Sequence, residues 1–109
     1  MVEQVNGWMY VANNYGLLET DGCHWNLYGI SNSTAVRAIT TDRDGNIYVG
    51  GTDEFGVFSS NGLGGLTYKP LSVNIPERYR QFGEVWRLQI ENNKLYVQTR
   101  HYIFVYTED

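Results

Sequence analysis

The chain has 109 residues, room for one domain of ordinary size. Aromatics make up 15% and charged residues 18%, with twelve glycines and two prolines, a mixture that excludes disorder, collagen and coiled coil. The formal net charge is −4 and there are only two lysines, so no cationic stripe is present and direct nucleic-acid contact by this segment is not expected. The single cysteine, Cys23, excludes an internal disulfide and a cysteine-rich zinc site. No apolar run is long enough for a membrane-spanning helix, and Met1–Asn6 lacks the basic start and apolar stretch of a secretion signal.

Taken in chain order, short apolar alternations are separated by Gly, Asn and Asp turns, which predicts strands at Trp8–Ala12, Ala35–Thr41, Asn46–Gly50, Gly56–Ser59, Val85–Glu91, Lys94–Thr99 and Tyr102–Thr107. No stretch keeps a helical apolar stripe for three turns. A single helical turn is expected around Pro76–Gln81, within an irregular loop over Ser72–Phe82.

The strongest signal is an internal repeat. Met9-Tyr10-Val11, Ile47-Tyr48-Val49 and Leu95-Tyr96-Val97 share one pattern, at spacings of 38 and 48 residues. Tyr15-Gly16-Leu17-Leu18 matches Phe55-Gly56-Val57-Phe58, and Tyr102-Ile103-Phe104-Val105 occupies the same place without the glycine. Val36–Ile39 precedes the second Tyr-Val strand as Val85–Leu88 precedes the third. Because side chains alternate faces along a strand, Ile47 and Val49 point one way and Tyr48 the other, so each sheet should be covered on both sides. An antiparallel repeat of this length is the signature of a β-propeller blade. The fold expected is therefore all-β, with blades of four-stranded antiparallel sheets. It is an incomplete propeller of about two to two and a half blades, since a closed one needs about four to eight. Residues 1–34 read as the end of a first blade, 35–83 as a second and 84–109 as the start of a third. Further blades of the same protein, or self-association, would complete it.

Asp44–Gly50 followed by Glu54–Phe58 resembles the two-component-regulator propeller repeat. Asn13–Gly22, Gly83–Arg87 and Lys94–Thr99 resemble stretches of membrane-anchored, propeller-bearing regulators of glycan utilisation, which carry a triple-tyrosine module; the starch-utilisation regulator is one example. The resemblance runs from about Trp8 to Tyr106. It implies a periplasmic, non-enzymatic sensor segment that recognises an oligosaccharide and signals to a kinase or helix-turn-helix output outside these residues. Neither a cofactor nor membrane insertion by this segment is implied. The alternative is a structural or assembly module that mediates oligomerisation or protein–protein contact without a ligand.

Ligand contacts are expected in the loops of one propeller face. Asn13, Asn14, Asp53 and Glu54 lie between the second and third strands of their blades, and Arg100 and His101 in the corresponding third loop. Arg78, Tyr79 and Arg80 lie in the long connection to the third blade. Amides, carboxyls, guanidinium groups and aromatic rings suit sugar hydroxyls and sugar faces. Tyr10, Tyr48 and Tyr96, at equivalent repeat positions, are expected to pack between blades, as is Trp86, whereas Trp25 is expected to be partly exposed.

Other groupings read as structural. Cys23 and His24, adjacent in sequence, would face opposite ways in a strand. Asp42–Asn46 has the oxygen spacing that opens a calcium loop but lacks the glycine and terminal glutamate at the required places, so it reads as an Asx-stabilised turn. Asn32-Ser33-Thr34 fits a glycosylation triplet and marks a loop. Gly62–Gly65 has no strand-to-helix context for phosphate. No nucleophile–base set or opposed carboxyl pair appears, so neither a catalytic residue nor a metal site is expected.

Overall fold

The apolar-Tyr-Val alternation dictates strands with two packable faces, and the structure, a computed structural model, is built from such strands. It describes residues 2–5, 7–30, 35–62, 65–79 and 81–107. The Asn32-Ser33-Thr34 triplet, Leu63-Gly64 and Arg80 lie outside the described residues.

The first sheet holds β1 (Val2–Val5), β2 (Trp8–Asn13), β3 (Gly16–Thr20) and β4 (Trp25–Tyr28). The second holds β5 (Ala38–Thr41), β6 (Ile47–Gly50), β7 (Phe55–Ser60) and β8 (Leu66–Pro70). The third holds β9 (Val85–Glu91), β10 (Lys94–Thr99) and β11 (Ile103–Thr107). Each sheet is antiparallel, with its strands side by side in chain order. The chain is thus all-β among the described residues apart from two 3-10 turns, Ser72–Asn74 and Glu77–Tyr79. The second follows Pro76 directly, because a fixed proline φ suits the start of a helical turn.

The sheets stack face to face, with β1 against β5 and β5 against β9. One apolar layer lies between the first two sheets: Tyr10, Leu17, Ile30, Val36, Ile39, Ile47, Val49 and Phe58. A second lies between the last two, and contains Ala38, Tyr48, Phe55, Val57, Leu71, Phe82, Val85, Leu88, Leu95 and Val97. Ile47 and Val49 therefore serve one layer and Tyr48 the other, as the period of two requires. Close approach of β6 to β9 depends on Gly50, where an added Cβ would lie 2.5 Å from Val85 Cγ1.

Hairpin turns follow local chemistry. Asp42 Oδ1 accepts the backbone N–H groups of Asp44 and Asn46, and its Oδ2 accepts the Asn46 side-chain amide, each at 2.9 Å. Its carboxyl is thereby committed to the turn. Between β9 and β10 the turn lacks glycine, but Asn92 and Asn93 take φ of 54° and 64°, a left-handed pair that asparagine tolerates and a two-residue hairpin needs. Cys23 and His24 are both exposed in the turn before β4, not in a strand. Both of their N–H groups donate to Asp21 Oδ1, and these bonds hold the Asp21 carboxyl at about 2.

Three expectations are corrected here. Trp86 is not core: it is 55% exposed. Opposite Gln98 and Thr99 the ladder jumps from Arg87 to Val85, so Trp86 is the extra residue of a β-bulge and loses the inward side. Tyr96 is only half-buried, whereas Tyr10 and Tyr48 are buried; Tyr96 faces away from the second sheet, beside Gln89, Gln98 and Ile103. The glycine match also shifts. Gly16 pairs with Asn13, whereas Gly56 pairs with Val49, so the ladder equivalents of Gly56 are Leu18, opposite Val11, and Phe104, opposite Val97.

Gly56 makes room for the Tyr68 ring. An added Cβ would lie 2.5 Å from the Tyr68 hydroxyl and 2.6 Å from the Lys69 carbonyl oxygen. Gly56→Ala is expected to destabilise the fold by about 1–3 kcal/mol through overpacking, read as a lower urea midpoint.

Candidate functional site

Residues far apart in sequence meet at the end of the last two sheets where β6 turns into β7 and β10 into β11. The chain leaves β8 at Pro70, buries Leu71, runs through both 3-10 turns and returns at Phe82. This connection and β11 bound a groove of about 440 Å³, lined by Leu71, Asn74, Ile75, Pro76 and Tyr79 on one side and by Tyr102, Phe104, Val105 and Tyr106 on the other, with Phe55 between them. Its size falls within the usual range for small-ligand sites.

Aromatic rings set its shape. The Tyr79 ring meets the Tyr102 ring edge-on, with centroids 5.9 Å apart. Tyr102 leans on Phe104 at 5.6 Å, and Phe104 packs on Phe82 at 5.2 Å and Phe55 at 6.3 Å. The Arg78 guanidinium lies 4.8 Å from the centre of the Tyr79 ring, a cation–π contact at the rim. The site therefore offers ring faces for stacking, a cation and the Asn74 amide, and among the described residues it contains no paired carboxyls.

The expected ligand residues divide sharply. Arg78 and Tyr79 are exposed at the groove, and Arg100 and His101 are exposed in the turn that leads into Tyr102. Arg80 lies outside the described residues. Asn14 is exposed on the β2–β3 turn, while Asn13 is held: its Oδ1 accepts the Tyr15 N–H at 2.9 Å and its carbonyl accepts the Val36 N–H at 3.0 Å.

Asp53 and Glu54 belong to the scaffold. Asp53 has a φ of 58°. Its Oδ1 accepts the Gly83 N–H at 2.6 Å and its own N–H donates to the Gly83 carbonyl at 2.8 Å. With the bond from Val85 N to Gly51 O and the Thr52–Glu84 bridge, this sews the β6–β7 loop to the entry of β9. Glu54 turns inward, 2% exposed, and accepts the Tyr68 hydroxyl at 2.6 Å.

A similar buried carboxyl, Glu19, is 5% exposed and accepts bonds from the Tyr10 hydroxyl, the Asn26 amide and the Tyr28 hydroxyl at 2.9, 3.1 and 3.4 Å, which ties β2, β3 and β4 together. Burial and the neighbouring Glu19 push the Tyr10 hydroxyl well above the usual phenol range; burial and Glu54 do the same to Tyr68. Among the described residues no group of three or more His, Cys, Asp or Glu side chains is arranged to hold a metal ion.

The sequence reading missed Leu71, Asn74, Ile75, Tyr102 and Phe104 as groove residues. Only Pro76, which marks the turn that presents Tyr79, gave a local signal.

Two outcomes are expected. Asp53→Ala should cost about 1–2 kcal/mol in urea denaturation, from a lost bond and a strained left-handed alanine, while Asp53→Gly should cost less. Raised phenol values in the folded state mean that Tyr10 and Tyr68 contribute stability fully present below about pH 10 and lost as pH rises above it. A phenolate absorbance titration should then show late-ionising tyrosines, Tyr10 and Tyr68 among them, that titrate only as the protein unfolds.

Compared with known families, residues 26–52 match the model for a beta-propeller repeat (SBBP). No curated protein and no solved structure matches the chain. The matched segment starts in β4 and ends just after β6, so it spans the step from the first sheet to the second. The chain carries a β-propeller repeat, and its stacked antiparallel sheets are blades of an incomplete propeller.

Proposed function

We propose that the chain is a non-enzymatic sensor segment of a periplasmic propeller in a membrane-linked transcription or two-component regulator, and that it recognises an oligosaccharide at the Tyr79–Tyr102 groove. The observation that carries this reading is the groove itself, where aromatic rings are presented beside an exposed guanidinium and an amide. Sugar rings offer C–H faces to aromatic side chains and hydroxyls to amides and guanidinium groups.

The lack of an enzymatic role is supported by where the carboxyls are spent. Glu19 and Glu54 accept tyrosine hydroxyls, Asp53 holds Gly83 and Asp42 holds its own turn. None of these four stands opposed to another carboxyl across the groove, as general acid–base work on a glycosidic bond requires.

The groove lies between the connection from the second blade and β11 of the third. A ligand that contacts both favours one arrangement of the two blades over others, and so shifts a population that an output domain can read.

Calorimetry against a panel of neutral and acidic oligosaccharides tests the reading. Binding is expected to weaken by about tenfold or more in Tyr79→Ala and in Tyr102→Ala, each a loss of about 1.4 kcal/mol or more. No binding across the panel, or binding indifferent to both changes, defeats it.

A further inference from the structure

Two connections build the loop end of the groove. The 3-10 turn Glu77–Tyr79, started by Pro76, presents Arg78 and Tyr79. The β10–β11 turn presents Arg100, His101 and Tyr102. This second turn is locked at its base. The Thr99 N–H donates to the Tyr102 carbonyl at 2.9 Å, and the Tyr102 N–H donates to Thr99 Oγ1 at 3.0 Å. Each connection runs between two strands of this chain, so this end of the groove is shaped by loops and owes nothing to the edge of β11.

Charge is distributed unevenly here. The formal net charge of the chain is −4. Connection 71–84 and turn 100–102 nevertheless carry three of its eight lysines and arginines: Arg78, Arg100 and, by sequence alone, Arg80. Two glutamates, Glu77 and Glu84, share these segments, and Glu84 lies 3.9 Å from Arg37, on the side of β5. The acids of the neighbouring β6–β7 loop are held by the Gly83 N–H and the Tyr68 hydroxyl. Among the described residues, no groove-lining side chain is acidic, and neither Arg78 nor Arg100 is paired with a carboxylate. Arg78 is steadied by the Tyr79 ring at 4.8 Å, and a cation–π contact does not exhaust a fork of five N–H donors.

We propose that this end of the groove takes the anionic group of an acidic oligosaccharide, a uronate carboxylate or a sulfate ester, with Arg78 and Arg100 as the residues that read the charge. The inference rests on the oligosaccharide reading and adds the class of sugar. Ring faces at Tyr79 and Tyr102 accept a sugar whatever its charge. The guanidinium forks distinguish, because they match two oxygens of a carboxylate or sulfate with charge-assisted bonds. A local cationic rim on an otherwise acidic chain also draws an anion to this end and not to the rest of the surface. Exposed ion pairs contribute little singly, so two arginines at a rim give a preference of about tenfold and not an absolute requirement.

Calorimetry with two matched pairs tests the inference: a uronate trisaccharide against its carboxyl-reduced neutral form, and a sulfated disaccharide against its desulfated form. In low salt the anionic member of at least one pair should bind about tenfold tighter, and sodium chloride should shrink the preference by screening the rim. The pair that shows the preference identifies the anion. Arg78→Gln and Arg100→Gln should each cut it by about threefold or more. Arg43→Gln removes the same charge from the exposed β5–β6 turn at the opposite end of the second sheet, and should leave the preference intact. Tyr102→Ala should weaken both members of a pair alike. Equal affinity within both pairs overturns the inference and leaves the oligosaccharide reading standing. A preference that neither arginine change moves, or that Arg43→Gln removes equally, overturns it as well. No binding by any member overturns both.

Discussion

Everything in this molecule hangs on the burial of the middle sheet on both faces. β6 has no solvent side: Ile47 and Val49 are sealed under the first sheet, while Tyr48 and Gly50 are sealed under the third. A strand buried on both faces can exist only if each neighbour supplies an apolar face at sheet-packing distance, about 10 Å away. The repeat is the simplest way to supply such faces, since each unit carries one surface for the unit before it and one for the unit after. The ends of the stack then show what the middle hides. Met9, Trp25 and Leu27 are exposed on the first sheet, and Trp86, Ile103 and Val105 on the third.

The polar groups inside this stack follow the same discipline. Among the described residues two carboxyls are buried, and each is met by a tyrosine hydroxyl from a neighbouring strand of its own sheet. A buried polar group left without a partner costs far more than a satisfied one contributes, so these pairs fix which strands lie side by side. The conspicuous acids of the loops are committed in the same way. Glu54 and Asp53 hold the β6–β7 loop in place, and that loop supports the Phe55 ring under the groove.

Much of the fold was legible because strands write a period of two into the sequence. Trp8–Ala12, Lys94–Thr99 and the Tyr-Val repeats stand where alternation puts them. β8 was not legible, since Leu66–Pro70 mixes alternation with a proline and takes its place from Tyr68 reaching over Gly56. Trp86 defeated the period because a bulge is a backbone event that leaves the composition unchanged. The glycine match failed because similarity in letters was two residues out of step with the ladder. The groove was half legible. Tyr79 and Arg78 sit in a loop that invites attention, but Tyr102 and Phe104 looked like ordinary strand residues until the topology brought them beside it.

The exchange of Gly56 for Phe104 at one ladder position reaches beyond packing. In the second sheet the space above that position belongs to Tyr68 from the outer strand, with ring centroids of Phe58 and Tyr68 4.8 Å apart. In the third sheet Phe104 fills that space from below. The blades share a topology but do not share parts: an outer strand cut from one and grafted onto the other would meet an occupied site. The repeat units therefore differ in interior volume. A chain of such blades carries its order in the sizes of its buried side chains, so shuffled blades would not reassemble as equals.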